Sequence, residues 1–182
     1  MCPGIRAVEK VNIYGMLGGM MEVSTIADTN NAPAIVTQRI LTMSDDEINQ
    51  VRALEAEILA IPQVVIPTSH ILHGGMYSRT IMVPAGVVLT GSLMKISTIL
   101  IIQGDFLLFA GDGAKELHGY NVFAGGPHRK QSGLAQSDTW VTMIFPTDAK
   151  TVEEAERKFT DEYDMLASRG ADAINYITIT EQ

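Results

Sequence analysis

The stretch Tyr77-Ser78-Arg79-Thr80-Ile81-Met82-Val83-Pro84-Ala85-Gly86-Val87-Val88-Leu89-Thr90-Gly91 decides the fold. Residues 77–83 alternate imperfectly between apolar and polar, as a half-buried strand does. Pro84-Ala85-Gly86 is a turn, because proline presets one backbone angle and glycine tolerates the next. A second strand is expected over residues 87–93, with Gly91 marking a bulge or sharp bend. Downstream the same grammar repeats. The apolar run 99–103 stops at Gly104-Asp105, a dipeptide that reverses hairpins, and 106–110 runs to Gly111-Asp112-Gly113. Residues 120–123 precede Gly125-Gly126-Pro127, and 140–145 end at Pro146. Upstream, 64–67 is a short apolar run. Six or more short strands with turn signals every eight to twelve residues predict a sandwich or barrel over residues 63–146.

Helices flank this region. Ser44 and Glu47 form a capping box, with Asp45 and Asp46 in the first turn and Ile48, Val51, Leu54 and Ile58 on one face, which predicts a helix over 44–60. Thr151 and Glu154 suggest another box, and Val152, Ala155, Phe159, Tyr163 and Leu166 predict a helix over 151–168 ended by Gly170. Residues 173–180 alternate with period two and contain β-branched side chains, so a terminal strand is expected there. Residues 1–43 show little periodicity and read as an N-terminal arm that wraps the barrel or a neighbouring subunit, or as a partly disordered tail. A strand is possible within 34–43. The organisation expected is an arm over 1–43 and a single domain over 44–182.

Composition narrows the function. The chain has 182 residues, 46% hydrophobic and 19% charged, with 16 glycines and 7 prolines, suited to one turn-rich β domain. A net charge of −8 argues against a nucleic-acid partner, and Arg129-Lys130 is too short a basic run to supply one. No stretch has the length of a membrane helix, and the apolar run at 14–21 is glycine-broken and lacks the basic start of a signal peptide. One cysteine, Cys2, rules out an intrachain disulfide and suggests a reducing, cytoplasmic compartment. No P-loop, GxSxG, HExxH or dinucleotide-binding glycine pattern occurs, and no cofactor is expected.

The 77–91 stretch, the 99–105 strand with its Gly-Asp, the strand Asp138-Thr139-Trp140-Val141-Thr142 and the acidic helix after it together resemble the cupin superfamily. More narrowly, they are similar to small cupins common in bacteriophage and prophage genomes. The resemblance covers about residues 61–166. It implies a mainly β, cupin-type jelly-roll (double-stranded β-helix) barrel that dimerises through barrel faces. In metal-binding members, histidines on the strand after the first glycine ligate a divalent metal. Here that strand is Gly91-Ser92-Leu93-Met94-Lys95-Ile96-Ser97-Thr98, so Met94 and Thr98 stand where histidines would, and a thioether and a hydroxyl do not make such a site. Without the metal, metallocupin chemistry loses its Lewis acid.

The remaining candidates each carry two readings. His70 and His73 are weak candidates for a rebuilt metal site, but an odd spacing on a strand sends them to opposite faces. His118 reads as exposed. His128 and Arg129 follow Gly125-Gly126-Pro127 in a loop that could hold an anion, or be a solvated turn. Tyr77 and Arg79 share a face two residues apart, and Arg79 either binds an anionic ligand or pairs with an acidic residue. Lys95 presents the same choice. Trp140 reads as core or as a ligand platform. The ligand-binding set expected is therefore Tyr77, Arg79, Lys95, Thr98, His128, Arg129 and Trp140. The function expected is a non-catalytic homo-oligomer that binds a small anionic molecule, with a nucleotide-like signal as the candidate. A structural or virion-assembly protein and a metalloenzyme with a rearranged histidine site are the alternatives.

Overall fold

The computed structural model describes residues 6–9, 39–40, 42–110 and 113–180. The glycine-broken run at 14–21 and most of the expected arm lie outside the described residues. In chain order the elements are β1 (Arg6–Glu9), β2 (Arg39–Ile40), α1 (Asp45–Ile58), β3 (Thr68–His73), β4 (Met76–Val83), β5 (Val87–Thr90) and β6 (Thr98–Gln103). They continue with β7 (Phe106–Phe109), β8 (Ala114–Leu117), β9 (Tyr120–Gly125), β10 (Ser132–Ala135), β11 (Thr139–Pro146), α2 (Val152–Phe159) and β12 (Asn175–Ile179). β2 lies inside the 34–43 segment where a strand is possible from sequence.

Two sheets form. One has the order β12-β3-β4-β11-β6-β9-β2, the other β1-β5-β10-β7-β8. Three antiparallel pairs are nested in sequence: β4 with β11, β5 with β10, and β6 with β9. The outer and inner pairs lie in the larger sheet and the middle pair in the smaller. This is a two-stranded ribbon folded back and forth, the defining path of a double-stranded β-helix. The β7–β8 hairpin extends the tip of the ribbon and joins the smaller sheet beside β10.

The sequence reading needs four corrections. Gly104-Asp105 does not reverse a hairpin: β6 and β7 lie in different sheets, and the turn carries the chain across. Gly104 does this at φ +138, so close to the neighbouring strand that a Cβ would sit 2.4 Å from Thr139 Oγ1. β3, β8 and β10 are full strands, where the sequence offers a loop or strand beginning around His70 and a polar turn over 115–119 and gives no strand signal at 132–135. The expected 151–168 helix ends at Phe159, where Thr160 is extended, and two short 3₁₀ turns follow at Tyr163–Met165 and Ala167–Arg169. Its capping box is half made: Thr151 accepts from the Glu154 N–H, but Glu154 accepts from Lys150 N. The α1 box is complete, with Glu47 accepting from Ser44 N at 2.6 Å.

Strand alternation builds the interior. β4 sends Tyr77, Arg79, Ile81 and Val83 inward. Ile81, Leu89, Leu100, Ile102, Phe106 and Phe123 join one apolar cluster, each such burial contributing about 1.5–3 kcal/mol. Tyr77, Phe145, Phe159 and Leu166 join a second cluster at the other end. α1 lies over the outer side of the smaller sheet, with Ile58 against Val88. β12 pairs parallel with β3 at the sheet edge, within the same chain. The outer face of the larger sheet stays open, with Ile71, Ile99, Val122 and Trp140 exposed. Among the described residues, no helix is long and apolar enough to cross a membrane.

An ion cluster ties the helices to the barrel. Lys130 is 0% exposed and its ammonium bridges Glu55 of α1 at 3.1 Å and Glu162 at 2.8 Å. Glu162 also accepts from Leu93 N at 2.8 Å, and the chain leaves the α2 helix just before it to reach this position. Burial alone would raise the Glu162 carboxyl, but the Lys130 hydrogen bond, the Leu93 N–H and the charges of Lys130 and Arg52 outweigh it and hold it below its ordinary value of 4.5. The unfolded chain therefore takes up this proton first, so the stabilisation is full above about pH 4.5 and is lost as pH falls through the lower folded value. Glu162→Gln is expected to cost about 1–3 kcal/mol at pH 7, because Glu55 still pairs with Lys130. Urea unfolding at pH 7 and pH 3.5 checks this: the difference between wild type and variant should shrink at the lower pH, and an unchanged difference contradicts it.

Candidate functional site: a donor-lined chamber in the barrel

A half-open chamber of about 110 Å³ lies between the two sheets of the barrel. Arg79 enters it from the middle of the larger sheet, where β4 places it opposite His70 on one side and Met143 on the other. Arg129 and Gln131 enter from the loop between β9 and β10. The remaining wall is mainly apolar, with Ile81, Leu89, Leu100, Ile102, Phe106 and Val141 along one side. Among the described residues, no aspartate or glutamate lines it.

The two guanidinium groups are held differently. Arg129 is 1% exposed. Its Nη2 donates to Thr98 Oγ1 at 2.6 Å, and its Nη1 donates to the carbonyls of Ile96 and Gly126. Gly125 makes this possible, since a Cβ there would lie 2.8 Å from the guanidinium carbon. Burial lowers the Arg129 group to about 10, which still leaves it charged at neutral pH. The loop that delivers it is tied by backbone bonds, Met94 N to Arg129 O at 2.9 Å and His128 N to Met94 O at 2.7 Å. His128 itself adopts a positive φ of 52, an uncommon state for a residue with a Cβ.

Arg79 is 7% exposed, and its Nε and Nη2 have no hydrogen-bond partner. Among the described residues, no carboxylate lies within 4 Å of Arg79 or Arg129. Burial lowers the Arg79 group from its usual value, against the charges of Tyr77 and Glu156. Glu156, the buried carboxylate of α2, is already taken by Arg169 at 2.5 Å and Ser168 at 2.6 Å. Arg129 Nε and Gln131 Nε2 are also buried without partners. Four N–H-bearing atoms thus lie buried with nothing to accept from them, which is costly unless something else supplies an acceptor.

The other residues singled out by sequence have different places. Tyr77 points inward as expected, but it packs between Phe145 and Phe159 and bonds to His70 rather than lining the chamber. Asn175 donates through Nδ2 to Ser168 O, so its Oδ1 accepts from His70 Nε2 at 3.2 Å. His70 Nδ1 then accepts from the Tyr77 hydroxyl at 2.7 Å. Burial first, and the Arg79 charge after it, hold His70 below its ordinary range, and burial raises the Tyr77 hydroxyl. Thr98 serves as an acceptor for Arg129. Lys95 lies outside, paired with Asp161 at 2.6 Å. His128 is exposed and bonds to Asp45 at 3.1 Å. Trp140 is neither core nor chamber wall: it is 46% exposed on the outer face of β11. Gln131, absent from the sequence expectations, has no local signal, since only the bridge between residues 94 and 129 turns it inward.

No protein-family model matches the chain, and no curated protein matches it. Among solved structures it is similar to a candidate acetylacetone dioxygenase from Methylibium petroleiphilum PM1, at 15% identity and a TM-score of 0.31, over 44% of this chain and 60% of that one. It is also similar to an RmlC-like cupin from Shewanella frigidimarina NCIMB 400, at 14% identity and a TM-score of 0.32, over 44% of this chain and 86% of that one. The match spans less than two-thirds of the first protein's length. The nested ribbon of β4–β11, β5–β10 and β6–β9 decides the fold on its own.

The barrel is of the cupin type. A divalent metal in this cupin chamber would face two guanidinium groups and an amide N–H, with no imidazole or carboxylate to ligate it, and the donor set does not fit such an ion. His70 has both ring nitrogens engaged, and His73 sits at the strand end bonded to Thr180 Oγ1 at 2.7 Å, so the two do not converge. Among the described residues, no three His, Cys, Asp or Glu side chains form a metal-binding group.

An unpaired buried cation is destabilising, so Arg79→Met should make the protein more stable when no ligand is present, by about 1–3 kcal/mol. In a chain of this length that is a rise in melting temperature of about 2–12 °C. Calorimetry in a low-salt, non-coordinating buffer reads it, and a fall in melting temperature contradicts it.

Proposed function

We propose that this protein binds a small anion inside its barrel, without using a metal. The observation that carries this reading is the Arg79 guanidinium, 7% exposed and with Nε and Nη2 unpartnered on the chamber wall. Gln131 Nε2 adds a neutral donor and Arg129 a second positive charge. A bound anion supplies the acceptors these groups lack, and its charge offsets two desolvated cations at once. The size of the chamber, about 110 Å³, lies below the roughly 300–1,000 Å³ of pockets that take drug-sized ligands. A chamber of that size suits a ligand smaller than a nucleotide. The exposed row of Ile99, Val122 and Trp140 on the outer sheet face supports assembly into a homo-oligomer, which light scattering reads as more than one chain per particle.

Thermal denaturation with a panel of small anions at constant ionic strength tests the binding reading. A ligand at one hundred times its dissociation constant stabilises by about 2.7 kcal/mol, a shift of about 5–10 °C here. At least one anion should give a saturable shift in the wild type and none in Arg79→Met. A panel of carboxylates, phosphate and sulfate that all leave the wild type unmoved contradicts the proposal.

A further inference from the structure

We infer that the chamber selects a short-chain monocarboxylate with an unsubstituted apolar tail. This deepens the anion-binding reading above and rests on it. The first ground is which donors of Arg79 are free. Nε and Nη2 lie on the same edge of the guanidinium plane, and their N–H bonds run parallel. That edge matches the two oxygens of one carboxylate in a bidentate pair. A lysine or a single amide in the same place would set charge but not this geometry.

The second ground is that the other polar groups of the wall, Arg129, Gln131, Ser92 and Ser132, are outnumbered by apolar ones. Arg129 commits three of its five N–H groups to Thr98 Oγ1, Ile96 O and Gly126 O, which leaves Nε–H and one N–H of Nη2. Gln131 contributes Nε2. Two carboxylate oxygens can use the Arg79 fork with one added bond each. A phosphate or sulfate is more strongly hydrated than a carboxylate, and a wall that is mainly apolar carbon replaces less of that hydration.

The third ground is what lies next to the fork. One step along the strands from Arg79 and its neighbour Met143, the same inward rows carry Ile81 on β4, Val141 on β11 and Ile102 on β6. These belong to the apolar cluster with Leu89 and Phe106, and all five line the chamber. A carboxylate seated on Arg79 therefore directs its tail into hydrocarbon. A second charged group on the ligand would be buried there without a partner, which disfavours dicarboxylates, amino acids and sugar acids. The chamber volume of about 110 Å³ limits the tail to a few carbons.

The experiment is titration calorimetry of the full chain with sodium acetate, butyrate, succinate and phosphate, at one ionic strength with chloride as the balancing anion. Butyrate should bind saturably and more tightly than acetate by about tenfold, since each added buried methylene favours binding. Succinate and phosphate should show no saturable heat over the range in which butyrate saturates. Arg79→Lys keeps a positive charge and loses the fork, and it should weaken butyrate at least about tenfold. Phosphate or succinate binding as tightly as butyrate overturns this inference and leaves the anion-binding reading standing. Butyrate binding equally well to wild type and Arg79→Lys also overturns it. If no anion in the series binds the wild type, both readings fall.

Discussion

A cation taken out of water needs acceptors or counter-charge in exchange, and three cations are taken out of water in this barrel. Lys130 receives two carboxylates, Glu55 and Glu162, from two separate segments. Arg129 receives two backbone carbonyls and a threonine hydroxyl. Arg79, in the middle of the larger sheet, receives no acceptor for Nε or Nη2 among the described residues. The first two arrangements explain much of the local architecture: the course of the 125–130 loop, the docking of α1 and the early end of α2. The third leaves donors without acceptors on the wall of a chamber.

The contrast with a metal-holding barrel is chemical. A site for a divalent ion gathers imidazole and carboxylate acceptors, whereas this chamber gathers N–H donors on charged groups. The same scaffold can support either, since the nested ribbon only decides which positions point inward. Met94 illustrates the point. It stands where the family resemblance implies a ligating histidine, and here its backbone pairs with Arg129 and so brings a guanidinium to the chamber.

Much of the fold was legible because it rests on local signals. The Ser44–Glu47 box, the Pro84-Ala85-Gly86 turn and the alternation of β4 and β12 are read within a few residues. What was not legible depends on pairing between distant segments. Thr68–His73 becomes a strand because β4 and β12 flank it, and Ser132–Ala135 because β5 and β7 do. Gly104-Asp105 has the composition of a hairpin turn, and only the demand of β9 and β11 for β6 makes it a crossing between sheets. The candidate site divides in the same way. Arg79 was visible as a charge in an apolar strand, on the same face as Tyr77. Whether it had a carboxylate partner could not be read from a chain with 21 acidic residues, since that turns on where Glu156 and its neighbours fold. Lys95 and Trp140 misled because strand parity near a bend or an open sheet face does not say which side is the interior. Gln131 carries no signal until the bridge at residue 94 is known.

The most direct measurement of the central claim is side-chain NMR of the arginine Nε–H groups during a butyrate titration. The Arg79 signal should move saturably and come to slow solvent exchange as the carboxylate seats on its fork. Arg157, exposed and already paired with Glu153, should stay where it is. An Arg79 signal that does not move while butyrate binds the protein would contradict the account.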